Sequence, residues 1–167
     1  AGDGGLDQVG GVRLNIRSLA AVRSTYQEII DEVKRAQPDA TINGIAIEPM
    51  IQKRNGRELV VSVKRDAVFG PAITFGEGGN MVEANRDVAV ALPPLNSFLV
   101  KDMIRSTHIA ARLGEFRNMP AVDMGALELV LLRISEMVCE LPWITGMEIN
   151  PLIVMKDGHL RVLDAKV

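Results

Sequence analysis

The chain has 167 residues, 47% hydrophobic and 24% charged, and its 19 basic and 21 acidic residues give a formal net charge of −2. This composition suits one globular domain and excludes a disordered tail, a collagen-like fibre and a cysteine-rich scaffold, while the slightly acidic balance gives no electrostatic basis for binding nucleic acid. No apolar run approaches the roughly 18 residues of a membrane helix, and the single cysteine, Cys139, leaves no internal disulfide and favours a cytoplasmic location.

The first third of the chain contains a predicted leader, a helix and two strands. Residues 1–11 carry five glycines, so we predict a flexible leader over 1–9 and a folded unit over 10–167. Alternating apolar and polar residues predict a strand over 12–16. Apolar residues at three- and four-residue steps after Ser18 predict a helix that ends before Pro38. A β-branched run predicts a strand over 42–51.

The middle of the chain alternates short apolar runs with turns. The turn Asn55-Gly56 precedes a predicted strand over 58–64, and a turn over 66–71 leads to a strand over 72–75 and the glycine-rich loop 76–79. Another strand is predicted over 88–92, followed by helices over about 96–113 and 123–141. Strands interleaved with helices predict a mixed α/β (α+β) domain, with a largely antiparallel sheet flanked by helices.

The chain ends in a predicted hairpin, with strands over 147–155 and 159–167 joined by Lys156-Asp157-Gly158. A three-residue loop with Gly158 in the left-handed conformation makes the numbers of opposed residues sum to 314. One face of the hairpin then carries a polar end followed by an apolar end. The polar residues are Glu148, Asn150, Asp164 and Lys166, and the apolar ones are Leu152, Val154, Leu160 and Val162.

The polar end of this face is typical of a site for a hard divalent cation. Mg²⁺ takes one or two carboxylate or amide oxygens from a protein and completes its octahedron with water and substrate phosphates. The alternative is a solvated sheet end with a cross-strand pair between Glu148 and Lys166. A two-residue turn would place Asn150 and Asp164 on opposite faces and would remove the site.

Several motifs follow one another along the chain. They are Gly10-Gly-Val-Arg-Leu-Asn15, Glu58-Leu-Val-Val, Arg65-Asp66, Phe69-Gly-Pro-Ala-Ile-Thr-Phe-Gly-Glu-Gly-Gly79, Glu148-Ile-Asn-Pro-Leu152, Gly158 and Leu163-Asp-Ala-Lys166. Together they resemble the ATP-grasp domain of NDP-forming acyl-CoA synthetases, a family that includes the β chains of succinyl-CoA synthetase. A further motif, Val90-Ala-Leu-Pro-Pro-Leu-Asn96, resembles the branch fused to an acetyltransferase domain, as in bacterial protein lysine acetyltransferases.

The resemblance implies the C-terminal subdomain of an ATP-grasp domain, with ATP or ADP and Mg²⁺ as ligands. Asn150 and Asp164 match the family's magnesium ligands, and Glu148 is a third candidate ligand. Glu48 and Glu58 match acidic positions that contact the nucleotide. The remaining candidates for nucleotide binding are Gly78 and Gly79, whose backbone N–H groups could approach phosphates; a plain turn at the strand end is the alternative.

The resemblance also implies an enzyme, an acid–CoA ligase that converts a small carboxylic acid, CoA and ATP into acyl-CoA, ADP and phosphate. A phosphorylated histidine in another domain or subunit, which also binds CoA, would carry the phosphoryl group, so no catalytic residue is expected in this chain. The segment before Gly10 is too short for the first ATP-grasp subdomain, and Leu6-Asp7-Gln8 stands where relatives carry a His-Lys pair. The second hypothesis is a ligand-sensing module of a lysine acetyltransferase, without phosphoryl transfer of its own.

Overall fold

The computed structural model describes residues 11–50, 57–79, 87–115, 120–155 and 157–167. These residues belong to two units, one within Ala1–Gln52 and one within Lys53–Val167, and each unit is described by itself. The predicted leader, the Asn55-Gly56 turn and Lys156 lie outside the described residues. In the described part of the chain, every helix is too short or too polar to cross a bilayer.

The first unit contains the predicted helix, α1 (Leu19–Ala36). Ser18 caps it, because its hydroxyl oxygen accepts the Ala21 N–H at 3.1 Å. The strands predicted over 12–16 and 42–51 are wrong where the structure describes them, since 11–17 and 37–50 contain no strand. Leu14 is 65% exposed and Ile47 is 74% exposed. The apolar alternation therefore buries no face against a partner strand, which is the condition that makes such a pattern a strand.

The second unit is built on one sheet, in which the described residues form six strands that pair antiparallel throughout. They are β1 (Arg57–Asp66), β2 (Gly70–Glu77), β3 (Val88–Ala91), β4 (Gly146–Val154), β5 (Leu160–Val162) and β6 (Ala165–Lys166). The spatial order is β3-β2-β1-β4-β5, and β6 also pairs with β4. The predicted antiparallel sheet is confirmed, and it places the terminal hairpin beside β1.

Helices α2 (Ser97–Arg105) and α3 (Met124–Glu140) begin at the predicted caps. The side chains of Asn96 and Asp123 each accept a backbone N–H of the first turn at 2.9 Å. The helix predicted over 96–113 ends earlier, at Arg105, and the chain continues as a 3-10 helix, His108–Arg112. The Asp87 carboxylate accepts the first two N–H groups of that helix, at 2.7 and 2.8 Å. The spacing of apolar residues predicts that α2 continues. Instead, Asp87, which is distant in sequence, caps a new 3-10 helix.

The helices cover one face of the sheet and form the core with it. Its fully buried members come from β1, β2, β4, the 3-10 helix and the two α-helices: Leu59, Val61, Ile73, Phe75, Val100, Ile109, Leu127, Leu131, Val138, Leu152 and Val154. Burying each of these large side chains contributes about 1.5–3 kcal/mol to folding. The opposite face of β1 carries Glu58, Val60 and Ser62, and this face is where the site residues lie.

β4 contains a bulge in which Asn150 and Pro151 together lie opposite Val60. The flanking pairs are Leu59 with Leu152 and Val61 with Ile149. The extra residue reverses the alternation along β4, so the side chains on both sides of the bulge reach the same core. The prediction that Leu152 and Val154 share a face with Asn150 is therefore wrong, and their partners Val162 and Leu160 follow them.

Arg57 ties the start of β1 to the segment between the 3-10 helix and α3. Its side chain is buried, and its guanidinium donates to the backbone carbonyls of Arg112 at 2.7 Å and Gly114 at 2.8 Å. It also donates to the carbonyl of Pro120. Burial, followed by repulsion from Arg112, lowers the pKa of this guanidinium. The residue next to it in sequence is Glu58, so this anchor fixes the strand end that carries a candidate site residue.

Candidate functional site

The terminal hairpin has the register that the sequence predicts. Opposed residue numbers sum to 314 along the whole hairpin, with Glu148 facing Lys166 and Val154 facing Leu160. Gly158 has φ +84°, and its N–H donates to the Met155 carbonyl at 3.0 Å. The three-residue turn is confirmed. The alternative two-residue turn, which would have separated the candidate ligands, is excluded.

This register brings Asn150 and Asp164 together. The Asn150 N–H donates to the Asp164 carbonyl at 3.2 Å, and residues directly opposed in an antiparallel ladder point to the same side of the sheet. Asn150 is half-buried and Asp164 is exposed. The register therefore sets an amide-bearing residue opposite a carboxylate-bearing one, and the joint binding of a cation by their side chains stays a prediction.

The glycine-rich loop after β2 crosses β1 and reaches the Asn150 side chain. The Gly78 N–H donates to the Glu58 carbonyl at 2.8 Å, and the Gly79 N–H donates to the side-chain oxygen of Asn150 at 2.8 Å. β2 and β4 lie on opposite sides of β1, so these two residues span the central strand. We call Gly78 and Gly79 the glycine crossing.

Gly78 is required by the backbone that faces it, and Gly79 is favoured by its own backbone conformation. A Cβ on Gly78 would lie 2.4 Å from the backbone of Leu59, and a Cβ on Gly79 would lie 1.9 Å from a carboxylate oxygen of Glu58. Gly79 also has φ +79°, a conformation that side chains rarely adopt. Both N–H groups already have protein acceptors, so phosphate binding through them stays a prediction that this geometry does not favour.

Asn150 is held at both ends of its amide. While its oxygen accepts from Gly79, its nitrogen donates to a carboxylate oxygen of Glu148 at 3.3 Å. Reversing the amide would place N–H against N–H at Gly79, so the network fixes which atom is the oxygen. A carbonyl oxygen can accept twice. One lone pair of the Asn150 oxygen thus serves Gly79, and the second is left to accept from a ligand or bind a cation.

Sequence reasoning missed the polar residues that continue this face along β1 and β2. The hydroxyls of Ser62 and Thr74 are hydrogen-bonded at 2.6 Å, and Ser62 lies opposite Glu148 across the β1–β4 ladder. Alternation in β1 provides the signal that could have found this face, because Glu58, Val60 and Ser62 follow one another at steps of two.

The predicted site residues of the second unit are thus brought together. Glu58, Gly78, Gly79, Glu148, Asn150 and Asp164 meet where β1, β4 and the glycine crossing adjoin. Glu48 is exposed and belongs to the first unit, so its role stays a prediction.

The donor set fits Mg²⁺. Asn150, Asp164 and Glu148 offer only hard oxygen atoms, from one amide and two carboxylates, with no thiolate or imidazole among them. The described residues hold no group of three or more His, Cys, Asp or Glu side chains that could enclose a metal. A set of two carboxylates and one amide suits an ion that also takes oxygens from water and phosphates.

Comparisons with known proteins agree with this geometry. Residues 7–167 match a family described as the ATP-grasp domain. The chain is 33% identical over 158 residues to the β subunit of ADP-forming acetate–CoA ligase I from Pyrococcus furiosus, covering 95% of this chain and 67% of that subunit. It is 33% identical over 154 residues to ADP-forming acetate–CoA ligase I from Archaeoglobus fulgidus, covering 92% of this chain and 22% of that protein.

A solved structure shares the fold. Acetyl-coenzyme A synthetase 1 from Ca. Korarchaeum cryptofilum, in complex with coenzyme A and Mg-AMPPCP, has a TM-score of 0.77 at 32% identity. The match covers 98% of this chain and 70% of that one, and in that structure a phosphohistidine segment points towards the nucleotide-binding site. The chain belongs to the ATP-grasp family, in the group formed by the ATP-grasp domains of ADP-forming acyl-CoA ligases.

Proposed function

We propose that this chain is the nucleotide- and magnesium-binding part of an ADP-forming acid–CoA ligase. The observation that carries the proposal is the pairing of Asn150 with Asp164, because the hairpin register sets an amide opposite a carboxylate and the Gly79 N–H holds the amide oxygen in one direction. Asn150 and Asp164 would hold Mg²⁺ against the phosphates of ATP or ADP, with Glu148 as a further oxygen donor. When bound, the ion neutralises negative charge on the phosphates and on the transferred phosphoryl group.

The acidic residues around this pair have separate tasks in the proposal. Glu58 lies on the same sheet face as Asn150, one residue from the start of β1, and a carboxylate there accepts hydrogen bonds from nucleoside hydroxyl or amino groups. Glu48 has the same chemistry and, by its match to the family motif, the same target. Glu148 also holds the Asn150 nitrogen, so it keeps the amide oxygen turned towards the ion.

The chain covers 67% of the Pyrococcus β subunit and 22% of the single-chain Archaeoglobus ligase, so the activity of the whole protein is part of the proposal. The relatives are named as ligases that form ADP. We infer the same reaction here, in which a small carboxylic acid, CoA and ATP give acyl-CoA, ADP and phosphate. The other participants would be an N-terminal ATP-grasp subdomain and a CoA-binding domain or subunit that bears the phosphohistidine. A cytoplasmic location is part of the same proposal.

Calorimetry with the non-hydrolysable nucleotide AMPPCP tests the site in the full-length protein. In the wild type, Mg²⁺ is expected to strengthen AMPPCP binding. In the double variant Asn150→Ala, Asp164→Ala, the affinity measured with Mg²⁺ should fall to the affinity measured in EDTA, because the protein oxygens that hold the ion are gone.

The matched control is Glu136→Ala, which also removes one carboxylate. Glu136 pairs with Arg133 on α3 and is 57% exposed, and α3 covers the other face of the sheet. This variant should bind Mg-AMPPCP like the wild type. Unchanged magnesium dependence in the Asn150→Ala, Asp164→Ala variant would overturn the proposal.

The acetyltransferase-associated hypothesis rests on the segment 90–96, and the fold gives that segment structural tasks. The Leu95 N–H donates to the hydroxyl of the buried Ser135 at 2.7 Å, and Asn96 caps α2. These contacts give Leu95 and Asn96 structural tasks within this fold. Because the Pyrococcus and Archaeoglobus relatives are ligases, we favour the ligase.

A further inference from the structure

We propose that Gly78 and Gly79 are positioning residues for the magnesium ligand Asn150, not phosphate-binding residues. This inference rests on the proposed function, because it assigns a task towards the ion that Asn150 would hold. Its basis is the 2.8 Å hydrogen bond from the Gly79 N–H to the Asn150 side-chain oxygen. The glycine crossing therefore orients the Asn150 side-chain oxygen in the metal-free protein.

Pairing with the sheet fixes the position of the glycine crossing. The Gly78 N–H continues the β1–β2 ladder by donating to the Glu58 carbonyl at 2.8 Å, and Gly78 lies directly on the Leu59 backbone. Because Gly78 is fixed in this way, the backbone of Gly79 is held within reach of the Asn150 side chain. The Gly79 N–H is carried by main chain that is itself hydrogen-bonded, so it holds Asn150 more rigidly than a long side chain could.

Displacing the crossing would remove the hydrogen bond that orients the Asn150 amide. Its nitrogen would keep only the 3.3 Å contact with Glu148, and χ2 of asparagine is a soft torsion with a broad distribution. The oxygen would then rotate away from the direction in which the Gly79 N–H holds it. Groups that orient a metal ligand in this way are typically worth 10- to 100-fold in metal affinity, to order of magnitude.

The test substitutes Gly79→Ala, with Gly70→Ala as the matched control. Gly70 has φ +76° and nothing within 4 Å of its Cβ position, whereas Gly79 has φ +79° and Glu58 in the way. The Glu58 carboxylate can swing aside, so both variants carry nearly the same backbone strain, and only Gly79→Ala places that strain in the crossing. Gly70 lies at the start of β2, at the other end of that strand from the loop.

The measured quantity is the magnesium increment, defined as the Kd for AMPPCP in EDTA divided by the Kd with saturating Mg²⁺. We expect Gly79→Ala to lower this increment by about 10- to 100-fold and Gly70→Ala to leave it within about twofold. The ratio removes any change that displacement of Glu58 makes to nucleotide binding itself, since that change enters both measurements. In an Asn150→Ala background, Gly79→Ala should lower the increment no further.

The outcomes separate the two proposals. Equal weakening of AMPPCP binding with and without Mg²⁺ in Gly79→Ala would overturn the inference, since the glycines would then serve the nucleotide. A magnesium increment that Gly79→Ala leaves unchanged but Asn150→Ala removes would overturn the inference alone. An increment that Asn150→Ala leaves unchanged would overturn the proposed function.

A measurement on the wild type keeps the inference testable if Gly79→Ala does not fold. Hydrogen exchange of the Gly79 amide in the metal-free protein should be slowed by its bond to Asn150, and Asn150→Ala should release it. The Gly78 amide, which donates to the Glu58 carbonyl, serves as the internal control and should stay protected in both proteins. Fast exchange of the Gly79 amide in the metal-free wild type would overturn the inference.

Discussion

Gly158 fixes the turn on which the hairpin register depends, and Gly158→Ala tests how tightly that turn is held. An alanine there adopts φ near +84°, which costs about 1–2 kcal/mol. Its Cβ would also lie 2.8 Å from the Ala121 carbonyl oxygen, about 0.6 Å short of ordinary contact at 3.4 Å. A shift of that size would break the 3.1 Å hydrogen bond from the Asp123 N–H to the Gly158 carbonyl, at about 0.5–1.5 kcal/mol.

We therefore expect Gly158→Ala to lower the free energy of unfolding by about 1.5–3.5 kcal/mol in total. Urea denaturation followed by circular dichroism measures the change. Gly70→Ala again isolates the strain, because it has nearly the same φ and no neighbour within 4 Å, and it should cost only about 1–2 kcal/mol. If the two variants were equally destabilised, the turn would not press on Ala121 and the reasoning would be refuted.

Two further predictions concern charged residues outside the site. Arg57→Met should lower the free energy of unfolding by at least about 3 kcal/mol in urea denaturation, because three backbone carbonyls lose a charged donor; a loss below about 1 kcal/mol would contradict this. Hydrogen bonds from the N–H groups of Phe69 and Val68 lower the pKa of Asp66 below its ordinary 3.8. Its ionised form therefore stabilises the fold above pH 3.8, and that contribution is lost as the pH falls through the lowered value. The stability difference between wild type and Asp66→Ala should accordingly be constant near neutral pH and shrink in acid, and a difference that grows in acid would contradict it.

The elements that could be predicted from the sequence are those whose signals are local. β1 has a β-branched run, α3 has a capping aspartate and an apolar stripe, and the hairpin has a glycine at its turn. The register of that hairpin could be predicted because the turn length alone determines which residues oppose each other. The same turn length is sufficient to predict that Asn150 and Asp164 are neighbours.

The features that could not be predicted depend on residues far apart in the chain. Asp87 starts the 3-10 helix from 21 residues away, and Gly79 donates to Asn150 across 71 residues. Neither contact can be inferred from the pattern of residues that are close together in the sequence. The bulge in β4 is also set by pairing with β1, so the residues after Asn150 continue an alternation that the fold reverses.

The candidate metal ligands lie at two adjoining irregularities of the sheet. Asn150 is in the bulge of β4, and Asp164 is in the break between β5 and β6. The hairpin keeps its register of 314 past the bulge, so Asn150 faces Asp164 and Pro151 faces Leu163, whose N–H donates to the Pro151 carbonyl at 3.1 Å. Leu163 and Asp164 are the residues that separate β5 from β6. The break in one strand therefore lies opposite the bulge in the other. Bulges re-aim side chains and recur beside functional sites. In this fold the bulge leaves Asn150 on the sheet face opposite the helical core and returns Leu152 and Val154 to that core, so β4 contributes residues to both the candidate site and the core.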